Sequence, residues 1–259
     1  MQIKIFQVDA FTSKLFGGNP AAICPLEEWI PDIKMQQIAF ENNLSETGFF
    51  VPEDDFFRLR WFTPITEVDL CGHATLAAAY VLFNHLGYKE KTIRFKTRSG
   101  ILSVSQNDEL LTMNFPSADL IKVDTPPDLI EGLGYEPVAT YQSDDLLALY
   151  DSEEMVARLD PDFMKLSELS ARGIIVTAKG NSVDFVSRFF AAAVGINEDP
   201  VTGSAHTKLT PFWASRLGKN ELTAVQLSER KGELKCKYLG DRVEISGKAV
   251  TYLVGEITV

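Results

Sequence analysis

The sequence predicts an α+β protein of two similar lobes, each a curved, mostly antiparallel sheet or barrel wrapped round a central helix. Three observations carry that expectation. Segment Gly72–Leu86 is apolar on every side, with almost no polar face before Gly87 stops it. A helix of that kind must be surrounded by protein, and its neighbours in sequence read as strands. The layout then recurs: Gly72 and Gly87 are 15 residues apart, as are Gly203 and Gly218, with Ala74 matching Ala205 and Leu86 matching Leu217. Flanking landmarks keep the same order, since Arg60-Trp61-Phe62 answers Arg188-Phe189-Phe190 and Gly100 answers Gly232. A repeat with ordered landmarks is the mark of a duplicated unit.

Each element has its own signal. Strands are expected near Ile3–Val8, Gly48–Val51, Phe57–Phe62, Ile93–Lys96, Ile101–Ser105 and Leu110–Phe115. Phe57, Leu59 and Trp61 alternate with Arg58 and Arg60, the period-2 pattern of a half-buried strand. Pro31–Asn42 reads as a helix with Pro31 in its first turn and Ile33, Gln37, Ile38 and Phe40 on a mixed apolar face. Pro211 falls inside the second central helix, which it should kink or shorten. The polar stretch Ser117–Pro127 reads as the link, giving lobes of residues 1–117 and 118–259. The C-terminal strand has the option of packing back on the first lobe.

Composition narrows the function. The 259 residues hold 36 acidic and 25 basic side chains, a net charge of −11. Phosphate backbones are bound through clustered Lys and Arg, so nucleic acid is not an expected partner. No apolar run approaches the roughly 20 residues of a membrane span. The N-terminal segment alternates polar and apolar residues and has no signal-peptide core. Cys24, Cys71 and Cys236 are odd in number and in no metal-ligand spacing, against a disulfide or zinc framework. A cytoplasmic protein is expected.

Four polar clusters stand beside glycine-marked turns. Gly17-Gly18-Asn19-Pro20 is a turn signal before a strand, with Asn19 able to turn its amide into a site. Gly72 and Gly203 each open a central helix, whose first N–H groups lack intrahelical partners and carry the positive end of the dipole. Two such ends make a carboxylate pocket without a lysine, so an acidic protein can hold an acidic substrate. Ser204 fits either a helix cap or an anion contact. His73 lies in the first turn of its helix, which should lower its pKa and favour neutral imidazole. His85, closing the first central helix, reads as a cap, and His206 is less informative. Glu46 precedes the apolar strand Gly48–Val51, where a raised pKa would suit a general acid/base, although most such glutamates are exposed turn acids.

In order along the chain stand Gly18-Asn19-Pro20, Asn43-Leu44-Ser45-Glu46-Thr47, Phe62-Thr63-Pro64, Cys71-Gly72-His73-Ala74-Thr75, Asp199-Pro200-Val201-Thr202-Gly203-Ser204-Ala205-His206 and Gln226-Leu227-Ser228-Glu229-Arg230. Together they resemble the phenazine-biosynthesis PhzF-like protein family over essentially the whole sequence. The resemblance implies the diaminopimelate-epimerase-like fold with the active site between lobes, and a homodimer. It implies that Glu46 is the acid/base that moves a proton on the substrate. It places His73 and Asp199 in the catalytic set and Asn19, Gly72, Gly203 and Ser204 around the substrate, with no cofactor and no metal. Phe190-Ala191-Ala192 departs from the family's usual Phe-Ala-Pro, which puts the shape of the following loop in question.

The leading expectation is therefore a cofactor-independent isomerase acting on a small carboxylate. A two-thiol racemase on the same fold needs a cysteine at the start of each central helix. Cys71 occupies the first position, but Thr202 occupies the second, and its hydroxyl does not act as a thiolate near neutral pH. A non-catalytic metabolite-binding protein is the third alternative.

Overall fold

The computed structural model describes residues 1–259. The chain divides into two compact units, Met1–Phe115 with Ser246–Val259, and Pro116–Ile245. In chain order the elements are β1 (Gln2–Ala10), β2 (Asn19–Pro25), α1 (Asp32–Asn42), β3 (Glu46–Glu53), β4 (Phe56–Phe62), β5 (Glu67–Val68), α2 (Gly72–Asn84), β6 (Thr92–Thr97), β7 (Gly100–Asn107) and β8 (Leu110–Pro116). There follow β9 (Ile121–Val123), α3 (Pro127–Leu133), β10 (Ala139–Gln142), β11 (Leu146–Leu149), α4 (Glu153–Arg158), α5 (Phe163–Ser167), β12 (Ile174–Lys179) and β13 (Phe185–Phe190). The chain ends with α6 (Gly203–Leu217), β14 (Glu221–Gln226), β15 (Gly232–Tyr238), β16 (Arg242–Gly247) and β17 (Ala249–Thr258).

In the first unit β1 pairs antiparallel with both β2 and β17, β2 runs parallel to β3, and β3 pairs antiparallel with β4. Helix α2 packs on β1, β2 and β3. Its Leu76, Ala77, Ala78, Ala79 and Val81 are fully buried, as its all-round apolar sequence requires. The other face of the sheet is covered by α1, where Met35, Ile38 and Ala39 join Ile5, Cys24 and Phe49. This stripe has the i, i+3, i+4 spacing of a buried helix face. It differs from the expected one: Ile33 and Phe40 are 64% and 67% exposed, and Pro31 caps the helix rather than entering it.

The second unit repeats these pairings. β11 runs parallel to β12, β12 pairs antiparallel with β13, and β14 pairs antiparallel with β15. Helix α6 packs on β14 and β15. Helices α3, α4 and α5 bring Leu129, Leu133, Val156 and Leu166 to a core with Ile174, Val176 and Phe190. The stretch expected as a plain link contains β9, antiparallel to β10. Backbone pairing at that strand needs no apolar pattern, and its Ile121 is largely exposed.

Pro211 does not shorten α6, which at 15 residues is longer than the 13-residue α2. Proline strips the carbonyl four residues back of its intrahelical donor. Here that carbonyl, on Thr207, accepts from the Ala118 N–H at 3.3 Å. The duplication extends to ion pairs. Arg60 grips Glu67 through Nε and Nη2 at 2.7 and 2.8 Å, and Arg188 grips Glu198 through the same atoms at 2.7 and 2.9 Å. Each glutamate stands five residues before the glycine that opens its central helix.

Candidate active site

In the first unit three sequence-predicted residues converge. Glu46 opens β3, and the parallel register sets it opposite Ala21 of β2. Asn19 opens β2 and is fully buried. The turn before it needs glycine, because Gly18 has φ +61° and a Cβ there would lie 2.0 Å from the Ala10 carbonyl oxygen. His73 is the second residue of α2 and is also buried.

The imidazole ring joins its neighbours from both sides. His73 Nε2 lies 3.1 Å from Glu46 Oε2, and no other hydrogen-bond partner reaches either buried atom. On the other side, Asn19 Nδ2 is 3.2 Å and Cys71 Sγ 3.5 Å from Nδ1. An amide nitrogen only donates, so with Asn19 in this orientation Nδ1 accepts and the neutral ring carries its proton on Nε2, facing Glu46. A second proton on Nδ1 requires Asn19 to turn its Oδ1 toward the ring.

The expected lowering of the His73 pKa is overturned. Burial does favour neutral imidazole, but the Cys71 sulfur and the Glu46 carboxylate, by charge and by hydrogen bond, raise the pKa well above the ordinary 6.5. Of these, the carboxylate is the durable cause. Burial pushes the Cys71 thiol up to about 11, so near neutral pH it carries no charge. A full charge at this distance outweighs the partial charge of a helix end.

Glu46, Cys71 and His73 are also the residues to consider for a metal, since their donor atoms lie within 4.8 Å of one another. The ring, however, presents opposite nitrogens to Cys71 and Glu46. One ion engages only one of those nitrogens, so the observed side-chain orientations do not form a three-ligand site.

In the second unit Asp199, Gly203 and Ser204 come together on the loop that enters α6. The loop is pinned at Glu198, Asp199, Pro200 and Thr202. Arg188 holds Glu198, the Asp199 N–H donates to the Phe189 carbonyl at 3.0 Å, and Ser228 Oγ donates to the Pro200 carbonyl at 2.8 Å. Gln226, fully buried at the end of β14, accepts from the Thr202 N–H at 2.9 Å and donates to the Asp199 carbonyl at 2.7 Å. Its amide also donates to Thr202 Oγ1 at 3.2 Å. The Thr202 hydroxyl proton is thereby turned onto Asp199 Oδ2, at 2.5 Å. Phe190-Ala191-Ala192 does not disturb this loop: Ala191 and Ile196 exchange backbone hydrogen bonds of 3.1 and 3.2 Å, closing it without proline.

Corresponding positions of the two helices do matching work. Cys71 and Thr202 are the caps. Thr75 Oγ1 donates to the Cys71 carbonyl at 2.6 Å, and His206 Nδ1 bonds the Thr202 carbonyl at 2.8 Å. Burial lowers the His206 pKa to about 4, against a smaller opposing effect of that bond, so this ring is neutral. His85 does close α2, as expected.

Two residues escaped sequence reasoning. Gln226 lay inside a quoted motif, but nothing local assigns it a role. Arg172 stands one residue before Gly173 and the apolar strand β12, much as Glu46 stands before the apolar part of β3, and that placement was its available signal.

The duplicated units have the diaminopimelate-epimerase-like fold, with a buried acid–imidazole pair at the start of one central helix and an aspartate–hydroxyl loop at the other, and the relatives of the chain mark it as an isomerase. The chain belongs to the phenazine biosynthesis-like protein family, which matches residues 8–255. It is 52% identical over 257 residues to an uncharacterized isomerase of Pseudomonas aeruginosa, covering 99% of each chain. An uncharacterized isomerase of Halalkalibacterium halodurans is 49% identical over 263 residues, again with 99% of each covered. A crystal structure of a phenazine biosynthesis protein PhzF family member from Enterococcus faecalis superposes with a TM-score of 0.99 at 46% identity, covering 100% of both chains. No helix is long and apolar enough to cross a membrane.

Proposed function

We propose that this isomerase works without a cofactor, moving a proton on a small carboxylate-bearing substrate with Glu46 as general acid/base. The observation that carries the assignment is the largely buried Glu46 carboxylate, 3.1 Å from the His73 ring. A base must be partly desolvated and held in place to take a proton from carbon. Glu46 removes the proton from a carbon next to an activating group and becomes a neutral acid. The electron pair moves through the conjugated system, and Glu46 returns the proton to another carbon. His73 holds the carboxylate before transfer, and Asn19 fixes the ring and faces the substrate. Asp199 orients a polar substituent, while Ser204 and the first-turn N–H groups at Gly72 and Gly203 hold the substrate carboxylate.

A second thiol base does not enter this chemistry. Thr202 is committed to Asp199, and the buried Cys71 thiol stays protonated near neutral pH. Three buried free cysteines fit a reducing cytoplasm. A homodimer is supported by an exposed apolar group in the first unit, where Phe16 packs edge-on to Tyr252 beside Leu253 and Val254.

The test is incubation with carboxylated cyclic dienes and with amino acids in deuterated water. A carboxylated diene gains deuterium at one ring carbon with wild-type protein, and Glu46→Gln, still folded, gives none. Full activity in Glu46→Gln removes the acid/base assignment, and exchange only at an amino-acid α-carbon, lost on Cys71→Ala, restores the racemase.

A further inference from the structure

The two units place opposite charges at the start of their central helices. Phe62 pairs with Thr47, and its counterpart Phe190 pairs with Ile174. Gly173 therefore takes the register position of Glu46, with Arg172 immediately before it. Glu46 reaches His73, the second residue of α2. Arg172 reaches Ser204, the second residue of α6, with Nη2 donating to Ser204 Oγ at 3.1 Å. Where one helix start carries an acid, the other carries a guanidinium.

The guanidinium is held firmly along one edge. Its Nε and Nη2 donate to Asp145 at 2.9 and 2.6 Å. Asp145 is fully buried and shares its charge with the buried Lys208, 2.8 Å away. Asp144, which also pairs with Lys208 and Arg172, keeps its pKa below the ordinary value although burial works against this. The cluster is thus two cations against two carboxylates, and it fixes the plane of the Arg172 fork. The edge toward Asp145 is fully used. On the other edge Nη2 meets Ser204, while the two Nη1 donors make no hydrogen bond and the side chain remains 41% exposed. Because Ser204 Oγ accepts from Arg172, its own hydroxyl proton is free to donate outward. A guanidinium edge and a hydroxyl presented side by side match a planar anion.

We infer that Arg172 is the specificity-determining residue of the reaction, requiring an anionic group on the substrate and holding it jointly with Ser204. This role rests on the carboxylate-bearing substrate proposed above, whose acid/base step belongs to other residues.

The measurement is calorimetric binding of cyclohexa-1,3-diene-1-carboxylate and of its carboxamide. Wild-type protein prefers the carboxylate. Arg172→Met weakens carboxylate binding about tenfold, weakens the carboxamide far less because only its carbonyl oxygen accepts, and lowers the melting point, because Lys208 alone then faces Asp144 and Asp145; Arg172→Lys recovers part of the loss. If Arg172→Met does not fold, Arg172→Lys carries the test through a several-fold drop for the carboxylate alone. Glu46→Gln keeps the carboxylate preference, so failure of the acid/base assignment reads separately. The inference is overturned by equal affinity of wild type for both probes, by unchanged carboxylate binding in the Arg172 variants, or by equal losses for both probes.

Discussion

His73 Nε2 and Glu46 Oε2 are 3.1 Å apart, and each is the other's sole polar partner among buried atoms. The pair raises the His73 pKa in the folded state. A raised folded-state value means that the stability from this contact is complete below the unfolded pKa near 6.5 and fades as pH rises through the higher folded value. His73→Asn should remove that alkaline decline in denaturant-unfolding measurements and cost on the order of 10²-fold in turnover. An unchanged pH–stability curve in the variant counts against the coupling.

Gln226 and Thr202 act on Asp199 from behind. Thr202→Val removes the hydroxyl from Asp199 and leaves the Gln226 amide short of one acceptor. We expect a rise in KM with a loss of about 1–2 kcal/mol in kcat/KM, while the thermal midpoint moves little. Gln226→Leu should be worse in stability, since it strands the buried Thr202 N–H. Equal kinetics for Thr202→Val and wild type would show that Asp199 is oriented by other contacts.

His206 supplies an acid-side prediction. With a folded pKa of about 4 against 6.5 unfolded, the unfolded chain binds more protons between those values. Stability from this group is therefore intact above about pH 6.5 and declines as pH falls toward 4, by up to about 3 kcal/mol. His206→Gln keeps a donor for the Thr202 carbonyl and should flatten that slope in urea titrations between pH 7 and 4.

Gly18→Ala tests the link between turn and site. The new methyl group meets the Ala10 carbonyl at a positive φ, a cost of about 2 kcal/mol or more. Because Asn19 follows directly, turnover should fall together with stability. Gly87→Ala has a similar φ but open space around it, so it should lose only about 1 kcal/mol and keep full activity. Matching losses in the two variants would mean that Gly18 sets no more than a backbone angle.

Much of this molecule was legible in advance. The apolar run from Ala74 to Leu82 permits only an enclosed helix, and Phe57–Phe62 alternates cleanly because one face of β4 meets the core. Helix α1 was harder to read, since Ile33 and Phe40 look like core residues and its real stripe includes Met35 and Ala39. Glu46 illustrates the limit for site residues. Its local pattern suits an exposed turn acid, and only the family motif singled it out. Arg172 has no motif at all, and its meaning comes from Asp145 and Ser204, distant in sequence but in contact.

By itself the sequence determined the α+β class, the enclosed central helices, the acidic charge and the set of chemical groups available. These follow from periodicity and composition, which act over a few residues at a time. Tertiary structure decided how those groups behave. It raised the His73 pKa where the helix end alone predicts a decrease, because Glu46 is brought to hydrogen-bonding distance across 27 residues of chain. It set Gln226 against Thr202 and Arg172 against Ser204 by the same means. Charge and hydrogen-bond energies depend on separation in space and on burial, and neither quantity is written in the order of residues.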